Sequence, residues 1–139
     1  MGAELFVDTS GWFPLIDPGD RAHTAVASAM RDAIKARRRV VTTNLIVAET
    51  HALIMRRIHR KAALAFVREV GRAPNIIISS SPEIEMGATN DWLDRYEDQD
   101  FSMTDAVSFF VMRQRGIRDV LALDHHFEVA GFDVIPALP

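Results

Sequence analysis

The hydrophobic positions of this chain fall into short apolar runs that alternate with longer segments of helical periodicity. The short runs are rich in β-branched and aromatic residues and end in turn residues, which is typical of strands. They lie at positions 3–7, 40–42, 76–78, 119–123 and 133–135. Because helical segments of about ten residues or more separate most of these runs, the pattern predicts an α/β fold with a mainly parallel sheet.

The helical segments show apolar residues at intervals of three and four, together with residues that begin or end helices. They are predicted over positions 21–37, 44–59, 60–71, 82–96, 103–115 and 125–130. Residues 8–11 are interpreted as a turn, and no helix is assigned to the apolar stretch at 12–16. Asp20 is expected to cap the first helix, and Thr43 or Asn44 the second.

Composition and charge narrow the class of protein. Of the 139 residues, 48% are hydrophobic and 25% are charged, which is usual for a globular protein, and without repeats or linkers we predict one domain over 1–139. The absence of cysteine excludes disulfides and thiolate metal sites and suits the reducing cytoplasm. No apolar run is long enough to cross a bilayer, and no signal peptide is recognisable. The net charge of −3 argues against coating of nucleic acid by bulk charge.

Four acidic residues lie where a parallel α/β fold would bring them together. Asp8 follows the first predicted strand and Asp124 the fourth, and ligands of open α/β sheets bind at the carboxyl ends of strands. Asp105 lies in the first turn of a strongly apolar helix. Glu49 follows Leu45 by one helical turn, on a stripe that we expect to face the core, where an unpaired charge costs several kcal/mol.

Each of these acids also has an explanation that involves no ligand. Asp8 and Asp124 could cap the turn or helix that follows each strand, and residues 102–105 match a capping box. Glu49 could pair with one of the arginines that follow it on the same helix. Taken singly, capping is favoured for each aspartate. The combination of two acids at strand ends and two on helix faces favours a divalent-cation site.

The chemistry of such a site follows from its donor atoms. Carboxylates without a cation would repel one another, whereas Mg²⁺ or Mn²⁺ would turn them into an oxygen-only site. That site can hold a phosphodiester, polarise it and activate a water for in-line attack. The chain offers no Gly-rich phosphate loop, nucleophile elbow or cysteine nucleophile for a competing mechanism.

Other functions are compatible with parts of this pattern. A phosphohydrolase with Asp8 as its nucleophile would require a second acid at position 10, which is Ser10. A binding module without turnover would use the acids only to cap helices and pair with arginines. His125 and His126 beside Asp124 suggest zinc, but adjacent residues are not one helical turn apart and no third nitrogen ligand is apparent, so both are interpreted as turn residues.

The segments around the four acids resemble those of the PIN-domain ribonucleases, and most of all those of the VapC toxins of toxin–antitoxin pairs. These segments are Phe6-Val-Asp8-Thr-Ser10, Asn44-Leu-Ile-Val-Ala-Glu49-Thr, Phe101-Ser-Met-Thr104-Asp105-Ala-Val-Ser-Phe and Leu123-Asp124-His-His-Phe127-Glu-Val-Ala-Gly-Phe132. The resemblance spans residues 6–132 and is most specific near the C-terminus. It implies a PIN-like, Rossmann-like sandwich in which helices cover both faces of a parallel sheet.

The resemblance also implies roles for individual residues. The acidic quartet that holds Mg²⁺ or Mn²⁺ matches Asp8, Glu49, Asp105 and Asp124, and hydroxyl positions that contact bound water or substrate match Ser10 and Thr104. Asn44 departs from the family pattern, because Ser or Thr is common at that position, and it receives no catalytic role.

The activity that the resemblance implies is metal-dependent cleavage of a structured RNA, such as a tRNA or a ribosomal loop. The expected products carry 5′-phosphate and 3′-hydroxyl ends. A homodimer is implied too, with a cognate antitoxin that inserts into the active-site groove and inhibits the enzyme. Similar domains also process RNA outside toxin systems, and that alternative stays open.

A group of basic residues follows Glu49 and is interpreted as a rim that faces RNA or the antitoxin. It consists of Arg56, Arg57 and Arg60. Arginine side chains neutralise backbone phosphates, which is the functional reason for such a group. A solvated helix face is the alternative, and it is favoured for the other basic run, at residues 37–39.

Overall fold

Five parallel strands form one sheet in the computed structural model, which describes residues 3–72 and 74–137. The strands are β1 (Leu5–Val7), β2 (Val40–Thr43), β3 (Ile76–Ile78), β4 (Asp119–Leu121) and β5 (Asp133–Ile135). Their order across the sheet is β3-β2-β1-β4-β5, and every neighbouring pair is parallel. The predicted parallel α/β sheet is confirmed, although β4 ends two residues earlier than expected.

Seven helices connect the strands in the described part of the chain. They are α1 (Thr9–Ile16), α2 (His23–Lys35), α3 (Asn44–Arg57), α4 (Arg60–Val70), α5 (Pro82–Ala88), α6 (Met103–Arg115) and α7 (His126–Val129), and a π-helical turn over Thr89–Asp94 extends α5. The predicted helix at 103–115 is confirmed, with Gly116 in the left-handed conformation at its end. In the described ranges, no helix combines the length and the apolar character that a bilayer crossing requires.

Helix α1 corrects the interpretation of the segment after β1. Asp8 is the N-cap of this helix and accepts a hydrogen bond from the backbone amide of Ser10, so residues 9–16 are helical rather than a turn and an apolar stretch. The prediction failed because Gly11 and Pro14 are strong turn signals. Glycine is required at position 11, since a Cβ there would lie 2.3 Å from the carbonyl oxygen of Leu121. Helix α1 therefore packs directly against the end of β4.

The starts of α2 and α3 test two predicted caps. Helix α2 begins at His23 and not at position 21, because Asp20 accepts its hydrogen bond from the amide of Ala22 in the preceding turn. The cap of α3 is Thr43, whose hydroxyl oxygen accepts from the amide of Ile46 at 3.2 Å. Of the two residues predicted for that cap, Thr43 is thus the correct one.

The strand order reverses around β1, which lies at the centre of the sheet and is fully buried. From β1 the chain moves outward to β2 and β3, and it then returns to β4 on the other side of β1. Because crossovers between parallel strands are right-handed, opposite directions of travel place helices on opposite faces. The carboxyl ends of β1 and β4 meet at this reversal, which is where open α/β sheets bind ligands.

Candidate active site

Asp8 and Asp124 both lie at the reversal point, beyond the carboxyl ends of β1 and β4. Ser10 connects the two loops. Its hydroxyl donates to Asp8 Oδ2 at 2.7 Å, and its hydroxyl oxygen accepts from the amide of Leu123 at 2.9 Å. The amide of Ser10 donates to the same Asp8 oxygen at 3.1 Å. The prediction that residues at the ends of β1 and β4 share one edge of the sheet is confirmed.

Asp8 is a buried acid in acidic surroundings. Only 5% of its surface is exposed, and this burial raises its pKa from 3.8 to about 6. The two hydrogen bonds from Ser10 lower the pKa in part, while the negative charges of Asp105 and Glu49 raise it. The fold therefore brings three of the four predicted acids within electrostatic range of one another.

Asp105 has a structural role and a position in the site. It completes a capping box at the start of α6. The backbone amide of Asp105 donates to Ser102 Oγ at 3.0 Å, and Asp105 Oδ2 accepts from the backbone amide of Ser102 at 3.2 Å. The same Oδ2 lies 3.2 Å from Nδ1 of His126. The capping interpretation is confirmed, and Asp105 is also buried, with only 8% of its surface exposed.

Glu49 is exposed, so the prediction that it faces the core was wrong. The buried residues of α3 are Ile46, Thr50 and Ile54. The apolar stripe misled the prediction because a polar residue, Thr50, occupies the core-facing position. Its hydroxyl donates to the hydroxyl oxygen of Thr9 at 3.0 Å, which joins α3 to α1. Glu49 thus lies beside the buried contact, close enough to affect the pKa of Asp8.

Asp124 belongs to a compact group with the two histidines that follow it. Its Oδ1 accepts from the amide of His126 at 2.9 Å and lies 3.5 Å from Nδ1 of that ring and 3.9 Å from Nδ1 of His125. Over residues 3–72 and 74–137, this is the one group of three potential metal ligands whose atoms all lie within 4.8 Å of one another. The four acids alone do not form such a group.

His126 was missed by sequence reasoning, which interpreted it as a turn residue. The ring contacts Asp105 as well as Asp124, although Asp105 lies 21 residues earlier in the chain. The available signal was its position two residues after an acid at a strand end. At that spacing the carboxylate can accept from the backbone amide of the histidine, and the imidazole ring turns back toward the acid.

The aspartates share one pattern of hydrogen bonding. Oδ2 of Asp8, Oδ2 of Asp105 and Oδ1 of Asp124 each accept from nearby protein groups. The second carboxylate oxygen of each has no donor among the described residues. No lysine or arginine of the described ranges forms an ion pair with any of the four acids. The protein orients the three carboxylates without a lysine or arginine partner in the described ranges.

Thr104, the second predicted hydroxyl residue, is half-buried in the first turn of α6 beside Asp105. Its carbonyl oxygen accepts from the hydroxyl of the buried Ser108 at 2.8 Å. Thr104 therefore lies on the same helical turn as Asp105, while Ser10 links the carboxyl ends of β1 and β4.

The predicted basic rim lies at the junction of α3 and α4. Arg56 and Arg57 end α3, Arg60 begins α4, and all three are exposed. The guanidinium carbon of Arg57 lies 5.6 Å from the ring centroid of Phe13 on α1. In the part of the chain that the structure describes, none of the three arginines pairs with an acid.

The parallel sheet with the order β3-β2-β1-β4-β5 and acids at its reversal point is typical of α/β proteins that bind a ligand at the carboxyl ends of their strands. The chain belongs to the PIN domain family, which it matches over residues 5–133. Two relatives are the 23S rRNA-specific endonuclease VapC20 of Mycobacterium tuberculosis strains CDC 1551 and H37Rv, each 34% identical over 134 residues that cover 92% of this chain and 95% of the relative. The crystal structure of M. tuberculosis VapC20, a sarcin–ricin loop cleaving toxin, has a TM-score of 0.83 at 32% identity and covers 98% of this chain and 100% of that one. The resemblance to VapC toxins is confirmed.

Proposed function

We propose that this protein is a metal-dependent endoribonuclease of the VapC type that hydrolyses a phosphodiester bond in a structured RNA. The observation that carries the proposal is the position of Asp8, a buried acid with a pKa raised to about 6 beside two other acids and no basic partner in the described ranges. A soluble fold gains nothing from such a cluster unless a cation neutralises it. The 34% sequence identity to VapC20, which extends over 92% of this chain, supports the same conclusion.

The donor set fits Mg²⁺ or Mn²⁺. The residues that would hold the ion are Asp8, Glu49, Asp105 and Asp124, all of which offer the hard carboxylate oxygens that these ions prefer. Each aspartate has one oxygen fixed by the protein and a second one without a described donor. A bound divalent cation supplies Lewis-acid polarisation of a phosphoryl oxygen and lowers the pKa of water.

The chain's own residues orient and retain the reacting groups. Ser10 hydrogen-bonds both Asp8 and the loop that carries Asp124, and it thereby holds the carboxyl ends of β1 and β4 together. The capping box holds the Asp105 carboxylate in place at the N-terminus of α6. We propose that the Thr104 hydroxyl, on the same turn, contacts water or substrate.

The basic rim is proposed to contact the RNA backbone. Arg56 follows Glu49 by seven residues on α3, which corresponds to about 10 Å along the helix axis. At that distance the guanidinium groups could bind phosphates that flank the scissile bond without neutralising the acids. The three arginines have no acidic partner among residues 3–72 and 74–137, which leaves their charge available.

The names of the relatives suggest a substrate. Their names describe cleavage of 23S rRNA, and the crystal structure is that of a toxin that cleaves the sarcin–ricin loop. We propose the same loop as the first substrate to test for this chain. We also propose that the chain forms a homodimer and that a cognate antitoxin inhibits it, as the similarity to VapC toxins implies.

The proposal is tested with an RNA fragment that contains the sarcin–ricin loop. Asp8→Asn and Asp105→Asn should each lower the cleavage rate by about 100-fold or more, because several kcal/mol of transition-state stabilisation depend on the site. Cleavage by the unmodified protein should also require added Mg²⁺ or Mn²⁺ and stop with EDTA. Asp98→Asn, in an exposed loop, is the matched control. Folded Asp8→Asn and Asp105→Asn proteins that cleave as fast as the parent would contradict the proposal.

A further inference from the structure

His126 is the side chain that joins the acid of α6 to the acid that follows β4. Its Nδ1 lies 3.2 Å from Asp105 Oδ2 and 3.5 Å from Asp124 Oδ1. Its backbone amide donates to the same Asp124 oxygen at 2.9 Å. In the described part of the chain, no other side chain lies within 4.0 Å of both carboxylates as an ion-pair or hydrogen-bond partner.

Packing fixes the orientation of this ring. Phe101 meets it edge to face, with ring centroids 5.3 Å apart and planes at 87°, and Phe101 is itself buried against Phe109. The ring of His125 lies 4.6 Å away on the solvent side. The His126 side chain is only 20% exposed. An imidazole held in this way presents Nδ1 to the two acids in one geometry.

We propose that His126 is a positioning residue for the metal site, an inference that rests on the proposed function. With the proton on Nδ1, the ring donates to Asp105 Oδ2, an oxygen that already accepts from the amide of Ser102. Two donors on Oδ2 set the rotation of the Asp105 carboxylate and leave Oδ1 for a cation. Groups that orient metal-binding carboxylates in this way affect metal affinity about 10–100-fold.

The alternative is that His126 binds the metal directly, together with Asp124 and His125. The 3.2 Å contact engages Nδ1 with Asp105, and a nitrogen that donates a hydrogen bond has no lone pair to offer a cation, so ligation by His126 would have to use Nε2. The two roles also predict different metals, since imidazole ligands suit zinc and similar ions while carboxylates suit Mn²⁺ and Mg²⁺.

The test compares two variants by calorimetric titration of the full chain with Mn²⁺. His126→Phe keeps an aromatic ring against Phe101 but removes the donor, and it should weaken Mn²⁺ binding by about 10–100-fold. His126→Asn keeps a nitrogen donor close to the Nδ1 position but loses the ring, and it should retain most of the affinity even if its Tm in EDTA is lower. If His126 acted only through the packing of its ring, His126→Phe would bind Mn²⁺ more tightly than His126→Asn.

His125→Phe and an electron spin-echo spectrum of Mn²⁺ bound to the unmodified protein decide between positioning and ligation. If His126 only positions the acids, His125→Phe should retain Mn²⁺ affinity, and the spectrum should lack the coupling of an imidazole nitrogen. Such a coupling, or equal losses in His125→Phe and His126→Phe, would overturn the positioning role. The spectrum needs no variant, so it decides even if His126→Phe fails to fold.

The failure of this inference is distinct from the failure of the proposed function. If Asp105→Asn abolishes Mn²⁺ binding while His126→Phe binds as the parent does, the metal site stands and the role of His126 is wrong. If the unmodified protein binds no Mn²⁺, or if Asp8→Asn and Asp105→Asn bind it unchanged, the metal-dependent function itself is wrong.

Discussion

Asp8 shows how a single residue couples the fold to its charge state. Burial raises its pKa from 3.8 to about 6, so the folded protein holds a proton that the unfolded chain releases between about pH 4 and pH 6. Stability must therefore fall as the pH rises through this window, and the loss is complete above the folded pKa. A shift of this size corresponds to about 3 kcal/mol. Asp8 thus lowers the stability of the metal-free protein at neutral pH, as expected for a buried acid whose role is to bind a cation.

Asp8→Asn should consequently stabilise the metal-free protein. The amide oxygen can still accept the hydrogen bonds of Ser10, while the charge that burial opposes is gone. In EDTA, urea unfolding near pH 7.5 should show a gain of up to about 3 kcal/mol, and near pH 4 the gain should almost vanish. Asp98→Asn, at an exposed position, is the control and should change little. An equal gain at both pH values would contradict the assigned pKa.

At the scale of elements, the site depends on how closely α1 approaches the end of β4. Gly11 permits this approach, because the carbonyl oxygen of Leu121 occupies the space that a side chain would need. At the same contact, the hydroxyl of Ser10, the residue before Gly11, accepts a hydrogen bond from the amide of Leu123. The hydroxyl pair of Thr9 and Thr50 then fixes α3 against α1.

Gly11→Ala should therefore disrupt the fold and the site together. A Cβ at 2.3 Å from a backbone oxygen forces α1 away from β4, which should cost about 1–3 kcal/mol in urea unfolding. The displacement should also weaken the Ser10 link between Asp8 and the β4 loop and so reduce RNA cleavage. Gly19→Ala is the matched control, because the nearest atom there is a flexible carboxylate oxygen at 3.3 Å. Equal stability of the two variants would refute this account of α1.

The sequence predicted these elements well where one physical signal dominated. All five strands and the limits of α6 followed from apolar runs and from Gly116, and Asp8 and Asp124 followed from the rule that strand ends meet. Helix α1 was missed because Gly11 serves packing and not a turn. The face of α3 was misassigned because Thr50 is buried through a partner 41 residues away.

His126 illustrates what periodicity along the chain does not encode. Its contact with Asp105 depends on the approach of α6 to the loop after β4, which only the tertiary structure determines. The strand order is a second example, because alternating strands and helices predict parallel strands but do not select 3-2-1-4-5 over other orders.

The whole molecule combines a negatively charged edge with a neighbouring basic group. The net charge of −3 gives no overall attraction to RNA, so binding must come from local groups such as Arg56, Arg57 and Arg60. Each phosphate contact releases counterions, which makes such binding dependent on salt.

Replacing Arg56 and Arg57 by Gln should therefore weaken RNA binding and flatten its salt dependence by about one to two units of slope on logarithmic axes. Binding is best measured by fluorescence anisotropy with labelled RNA and Asp105→Asn protein, which prevents cleavage. The control is the pair Arg31→Gln and Arg39→Gln, which removes the same charge from exposed positions outside the rim. Equal losses in the two double variants would mean that overall charge, and not the rim, binds the RNA.

We propose that the acids at the strand reversal together hold one divalent-cation site. Anomalous diffraction from a crystal grown with Mn²⁺ tests it most directly, because the metal scatters where the protein does not. We expect an anomalous peak in contact with carboxylate oxygens of Asp8, Asp105 and Asp124, and no peak in a crystal of the Asp8→Asn variant. A peak held only by the His125 and His126 rings, or no peak between the acids at saturating Mn²⁺, would contradict it.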